Sequence, residues 1–164
     1  MDLDDLFSEF SIKIYEEPLS DLRTSGAIRD LSNPISVAML IVDFNTEVEM
    51  NGILNFIGNS TGLYARETVE ALRTVGCERD AEKLREILDI ADIAGMTHAA
   101  IQADRSNLEA FAVTSFSSLH GDKWDDATTR VDSIADEVDF GAVLTATESF
   151  IGQHKTTFEK AVAI

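Results

Sequence analysis

The dipeptide Asn33-Pro34 and the run ISVAMLIVDFNTEVEM behind it limit the fold more than any other stretch. Asparagine is a favoured helix cap, and proline suits the first helical position, where its missing N–H costs nothing. The apolar positions Val37, Met39, Leu40, Ile41 and Phe44 then carry a largely buried helix toward Glu49, and Asn51-Gly52 stops it. A helix of that kind needs partners around it.

The rest of the chain supplies helices. Leu3, Leu6 and Phe10 form an i, i+3, i+7 stripe, and Pro18 can open a helix toward Leu31. Helices are predicted from Tyr64 to Val75, from Asp80 to near Gly95, from Ser106 to Leu119 with Leu108, Phe111, Ala112 and Phe116 inward, from Asp125 to Val138, and from Ala142 to Ala163. Alternating β-branched runs bounded by turn residues are scarce. The expected fold is all-α, a single helical domain over residues 1–164 with about seven to nine helices. No apolar run is long enough to span a membrane, and the acidic start MDLDDLFSEF lacks the features of a signal peptide, so a cytoplasmic protein is expected.

The charge is the outlying quantity. Against 30 Asp and Glu stand 13 Lys and Arg, a formal net charge of −17. Direct binding of nucleic acid is disfavoured, because phosphates would be repelled; a basic protein would be attracted. Acidity also serves solubility or salt tolerance.

Catalytic and metal motifs are sparse. Gly58-Asn59-Ser60-Thr61-Gly62 fits G-x-S-x-G, but a nucleophile elbow needs a strand entering the serine and a parallel sheet delivering its acid and histidine. No such alternation exists, so the segment reads as a glycine-bounded turn. His98, His120 and His154 are far apart and form no metal motif. Asp122, Asp125 and Asp126 beside His120 lack the glycine and terminal glutamate of a calcium loop. Cys77 stands alone. No cofactor or metal is expected, and the chain does not read as an enzyme; a hydrolase using Ser60, or a metal at His120 and Asp122, is the residual catalytic alternative.

The arrangement of acids is more informative. At 100° per residue, Asp122, Asp125, Asp132, Asp136 and Asp139 fall within roughly one third of a helix circumference, opposite Val131, Ile134 and Val138. Only Lys123 and Arg130 lie in that segment to offset them. Asp2, Asp5 and Glu9 repeat the pattern opposite Leu3, Leu6 and Phe10, whereas Glu82, Glu86 and Asp89 are interleaved with Arg79, Lys83 and Arg85 and read as a salt-bridged surface. Like charges one turn apart cost a few tenths of a kcal/mol each, and their spacing of roughly 5–6 Å approximates that of successive phosphates. Such a surface suits the basic groove of a DNA-binding protein.

Three motifs carry a family resemblance. EVEMNGILNFIGNSTG, then ETVEALRTVGCERDAEKLREIL, then FIGQHKTTF resemble, in order, segments of a bacterial all-helical family that includes a DNA-mimic protein. That family's signature has Asn-Gly-Gly-Phe where this chain aligns Met50, Asn51, Gly52 and Ile53, and a glutamine where it has Asn55; Asn59 to Gly62, Ala71-Leu72, Gly76, His154 and Phe158 match. The resemblance spans about Met39 to Phe158. It implies the helical fold, a homodimer, and a protein that occupies the DNA-binding surface of a transcription factor. The acidic positions are not part of the signature. The partner is thus expected to be a basic DNA-binding protein, or alternatively a basic toxin or nuclease neutralised by an immunity protein.

Overall fold

The computed structural model describes the backbone of residues 1–111 and 120–163, and the side chains of 1–105 and 120–163. Among the described residues there are ten α-helices and no strand, in agreement with the all-α expectation. In chain order they are α1 (Leu3–Lys13), α2 (Asp21–Thr24), α3 (Pro34–Asn51), α4 (Ile53–Gly58), α5 (Ala65–Thr74), α6 (Glu78–Ala94), α7 (His98–Phe111), α8 (Asp122–Ala135), α9 (Phe140–Gln153) and α10 (Lys155–Val162). Two 3₁₀ turns, Ala27–Arg29 and Ser60–Tyr64, complete the described elements.

Helix α3 is the axis of the fold. The Asn33 side chain accepts from the Ile35 N–H at 3.0 Å, Pro34 follows it, and every residue from Ile35 to Asn45 is buried. Helices α4, α5, α9 and α10 and both 3₁₀ turns pack around it. Outside this shell α6 packs on α5 and α8, while α1 lies across α9 and α10. The edge-to-face pair of Phe10 and Phe158, with centroids 4.9 Å apart, ties the first helix to the last.

Four expectations change. Pro18 does not open a long helix: the Glu17–Pro18 peptide is cis, and the chain reaches Arg29 through the short α2, a left-handed Gly26 and a 3₁₀ turn. This broken path aims Arg23 inward at Asp43 of α3. The helix expected from Ser106 begins earlier, at His98; its Ser106 to Phe111 portion belongs to α7, while Ala112, Phe116 and Leu119 lie outside the described residues. Asp80 does not start α6, which begins at Glu78; it is buried and its carboxylate accepts from the Asp139 N–H at 3.0 Å. The last helix is two, broken at His154, and this turn lets Phe158 reach Phe10.

The stretch NGILNFIGNSTG forms a latch beneath α7. Arg105 donates to the side-chain oxygens of Asn55 and Asn59, His98 Nδ1 lies 3.0 Å from the Ile57 carbonyl, and Gln102 donates to the Gly58 carbonyl. The carbonyls left over at the end of α4 are thereby satisfied. From below, Glu47 accepts from the Asn51 and Asn59 amides. The two glycines of G-x-S-x-G have steric causes. A Cβ on Gly58 would stand 2.5 Å from Ile101 Cγ2, and one on Gly62 would stand 2.0 Å from the Ile57 carbonyl oxygen. Backbone cannot yield as a side chain tip can, so Gly62→Ala is expected to cost about 1–3 kcal/mol of stability, at the upper end of overpacking effects. Chemical denaturation of the variant measures it; a cost under about 0.5 kcal/mol would contradict this steric account.

Candidate functional site

Helix α8 runs from Asp122 to Ala135, so Asp122 and Asp125 occupy its first turn, where acidic groups favour the helix dipole. Trp124, Ala127, Val131 and Ala135 are buried on its inner side, and Trp124 Nε1 donates to the Ala94 carbonyl at 3.0 Å. Asp122, Asp125, Asp132 and Asp136 are all exposed. Asp136 is the capping residue after the helix.

Asp139 does not extend this stripe. The helix stops before it, and Asp139 instead caps α9, its side chain accepting from the Ala142 N–H at 2.9 Å. Helical projection carried it onto a face that the backbone had already left.

Ion pairing separates the acidic surfaces. Arg66 bridges Asp89 and Asp92, Arg73 reaches Glu70, Glu78 and Glu82, and Arg85 binds both Glu82 and Asp89. On α6 the local pairing its sequence suggests is made by Arg85 with Glu82 and Asp89, while among the described residues no ion pair engages Glu86 or Arg79. Lys83 also takes Glu137. Among the described residues no ion pair engages Asp122, Asp125, Asp132 or Asp136. On α1, Asp2 is the helix cap, accepting from the Asp5 N–H at 2.9 Å, while Asp5 is exposed and Glu9 half-buried on the same helix.

A groove adds an element that sequence reasoning missed. About 520 Å³ in volume, it lies between the end of α3 and the end of α8, with Val48, Ile53, Val138 and Phe140 as apolar lining. Glu49, Asp132 and Asp136 bring three carboxylates to it, and among the described residues no Lys or Arg lines it. Glu49 belongs to the acidic helix end TEVEM, the one signal that could have pointed to it. Burial, and secondarily the charge of Asp136, pushes the Asp132 carboxyl above its ordinary range. An alkyl stem with a cationic head would find both its needs here, apolar contact below and carboxylates at the rim.

The other candidates are dispersed. Ser60 opens a 3₁₀ turn rather than topping a strand, and the described histidines are engaged elsewhere: His98 at the Ile57 carbonyl, His120 at Asp104, His154 against Phe150. His120 lies 2.6 Å from Asp104 and stacks on Trp124 with ring centroids 3.6 Å apart. Among the described residues no cluster of His, Cys, Asp and Glu is arranged to hold a metal ion. Cys77 is buried, and burial raises its thiol pKa, which disfavours the nucleophilic thiolate. No described helix is long and apolar enough to cross a membrane.

Comparison with curated proteins and with solved structures returns no significant match. A family model does match, over residues 29–154, starting before the expected Met39 and ending at His154. That span covers most of the chain, from the turn before α3 through the α4 latch and the acidic helix α8, and the chain therefore belongs to the DMP19-like protein family.

Proposed function

We propose that this protein is a non-enzymatic binding module, a DNA mimic whose acidic surface occupies the basic nucleic-acid-binding surface of a transcription factor or another DNA-binding protein. The observation that carries the reading is the uncompensated line of Asp122, Asp125, Asp132 and Asp136 along α8, joined at the groove by Glu49. On a protein of net charge −17, most cations outside α8 are drawn into ion pairs, yet among the described residues none of these four aspartates has one. Carboxylates one helical turn apart approximate a row of phosphates, and a basic DNA-binding surface is the complement. The exposed Asp5, together with Asp2 and Glu9 on α1, offers a second, smaller acidic surface.

Membership of the DMP19-like family supports this choice of partner class. The test is capture of basic DNA-binding proteins from the native host on immobilised protein, with elution by graded salt. Binding through this face should weaken steeply between about 50 and 200 mM salt, and free DNA should compete with the captured protein's binding. Capture that resists salt, or a captured protein that still binds DNA while held, would reject the reading.

A further inference from the structure

A second concavity lies apart from the acidic groove and shares no lining residue with it. It has a volume of about 470 Å³, within the usual range for small-molecule sites. Its walls come from the end of α1, the α2 turn, α3 and the Ser60–Tyr64 turn. One side is apolar and open to solvent: Tyr15 is 55% exposed and Leu63 50%, and the buried Tyr64 also lines it. The other side is polar and comprises Asp43, Glu47 and Thr61.

The polar side has a definite sign. Arg23 is the one cation among the described residues of the lining, and its charge is matched by Asp43: it donates to both Asp43 oxygens, at 2.8 and 2.7 Å, and to the Ile14 carbonyl. Glu47 is different. Its Oε2 accepts from the neutral amides of Asn51 and Asn59, which orient the carboxylate without cancelling its charge. In the same lining the Thr61 hydroxyl oxygen is buried with no hydrogen-bond partner among the described residues. An unmet buried hydroxyl is unfavourable, and rotation of the Thr61 side chain would offer it to a bound polar group.

We propose that this cleft binds an organic cation, an ammonium or guanidinium head on an apolar or aromatic body, with the head at Glu47 and Thr61 and the body against Tyr15 and Leu63. An anion would meet an uncompensated Glu47 and find no available positive charge in the lining. A purely apolar guest would leave Thr61 unmet. The cation's source is either a free amine or the side chain of a bound protein, and the chemistry is shared.

Titration calorimetry with the intact chain distinguishes these. Benzylammonium is the free-amine probe, N-acetyl-arginine methylamide the side-chain probe, and benzyl alcohol and benzoate are the isosteric controls. At least one cation is expected to saturate one site, with benzyl alcohol and benzoate at least tenfold weaker; saturation by benzylammonium assigns a free amine, and saturation by the blocked arginine alone assigns a protein side chain. Glu47→Gln should weaken the cation about tenfold, and Thr61→Val should weaken it several-fold. Should Glu47→Gln disturb the latch and fail to fold, Thr61→Val together with Leu63→Ser decides the matter. Equal binding of the alcohol or benzoate, no saturation by either cation, or full affinity in the folded variants would overturn the proposal. A cation held in the acidic groove would keep its affinity in the Glu47, Thr61 and Leu63 variants, whose substitutions lie outside that groove, so this outcome is independent of whether a DNA-binding partner is captured.

Discussion

Conversion of Asp125, Asp132 and Asp136 to Asn together is expected to lower affinity for a captured basic partner by roughly a hundredfold at low salt, mainly through slower association. The three side chains are exposed and unpaired by any described cation, so the substitution removes charge without orphaning a buried group. Stability should not suffer. Burial and Asp136 hold the Asp132 carboxyl above its ordinary range, meaning that the fold disfavours its ionised form. A group with a raised folded pKa contributes stability below its unfolded pKa and loses it as the pH rises through the folded value. Asn at this position avoids that loss and offsets the helix-dipole contribution given up when Asp125 leaves the first turn of α8, so the melting temperature near neutral pH should stay close to that of the wild type. Binding kinetics at two salt concentrations, with thermal unfolding alongside, checks both halves. An unchanged association rate in the folded triple variant would sink the assignment of this face; a matching defect in Asp2, Asp5 and Glu9 variants would move the interface to α1.

Arg23→Met should have the largest effect on the fold itself. Asp43 is 4% exposed in the middle of α3, and its carboxylate is held by a two-point contact from Arg23. Removal of one partner leaves a buried charge unpaired, a loss of about 3–5 kcal/mol. For a chain of this size that corresponds to a fall of about 10 °C in Tm. The pH dependence has a definite sign. Burial already pushes the Asp43 carboxyl up, and the Arg23 hydrogen bond and charge oppose that push. Without Arg23 the folded pKa rises further, so the deficit relative to wild type should be greatest at neutral pH and shrink as the pH falls toward about 4, where the unfolded carboxyl also protonates. Asp43→Asn added to Arg23→Met should restore part of the loss. Denaturation curves at pH 7 and pH 4.5 measure this, and a deficit under 1 kcal/mol, or one that grows in acid, would refute the account.

These residues show how the legible parts of the sequence differ from the rest. The course of α3 could be read because its signals are local: a capping asparagine, a proline that fits only the first turn, an apolar run, and Gly52 at the end. The inner face of α8 was legible for the same reason, since Val131 is buried and Ile134 partly so, while Val138 is buried beyond the helix end. Projection failed where a helix ended sooner than its pattern. Asp139 keeps the angle of the stripe on paper, but the chain has turned and uses its carboxylate as a cap.

The groove and the latch were hidden for another reason. Glu49 meets Asp132 and Asp136 only because α3 and α8 come together through packing that no local pattern encodes. Arg105 reaches Asn55 and Asn59 across 50 and 46 positions, and Arg23 reaches Asp43 across 20. A sequence shows that such groups exist; it does not show which of them will meet.

By itself, then, the sequence determined the helical class, the buried central helix, the excess of negative charge and the face of α8 on which much of it lies, because periodicity, caps and composition act within a few residues of chain. Tertiary structure decided the pairings between helices, Arg66 with Asp89 and Asp92 and Lys83 with Glu137, and it turned GNSTG into a sterically crowded joint instead of an elbow. Pairing of charges and close approach of backbones depend on distances between elements, and those distances are set only when the helices pack.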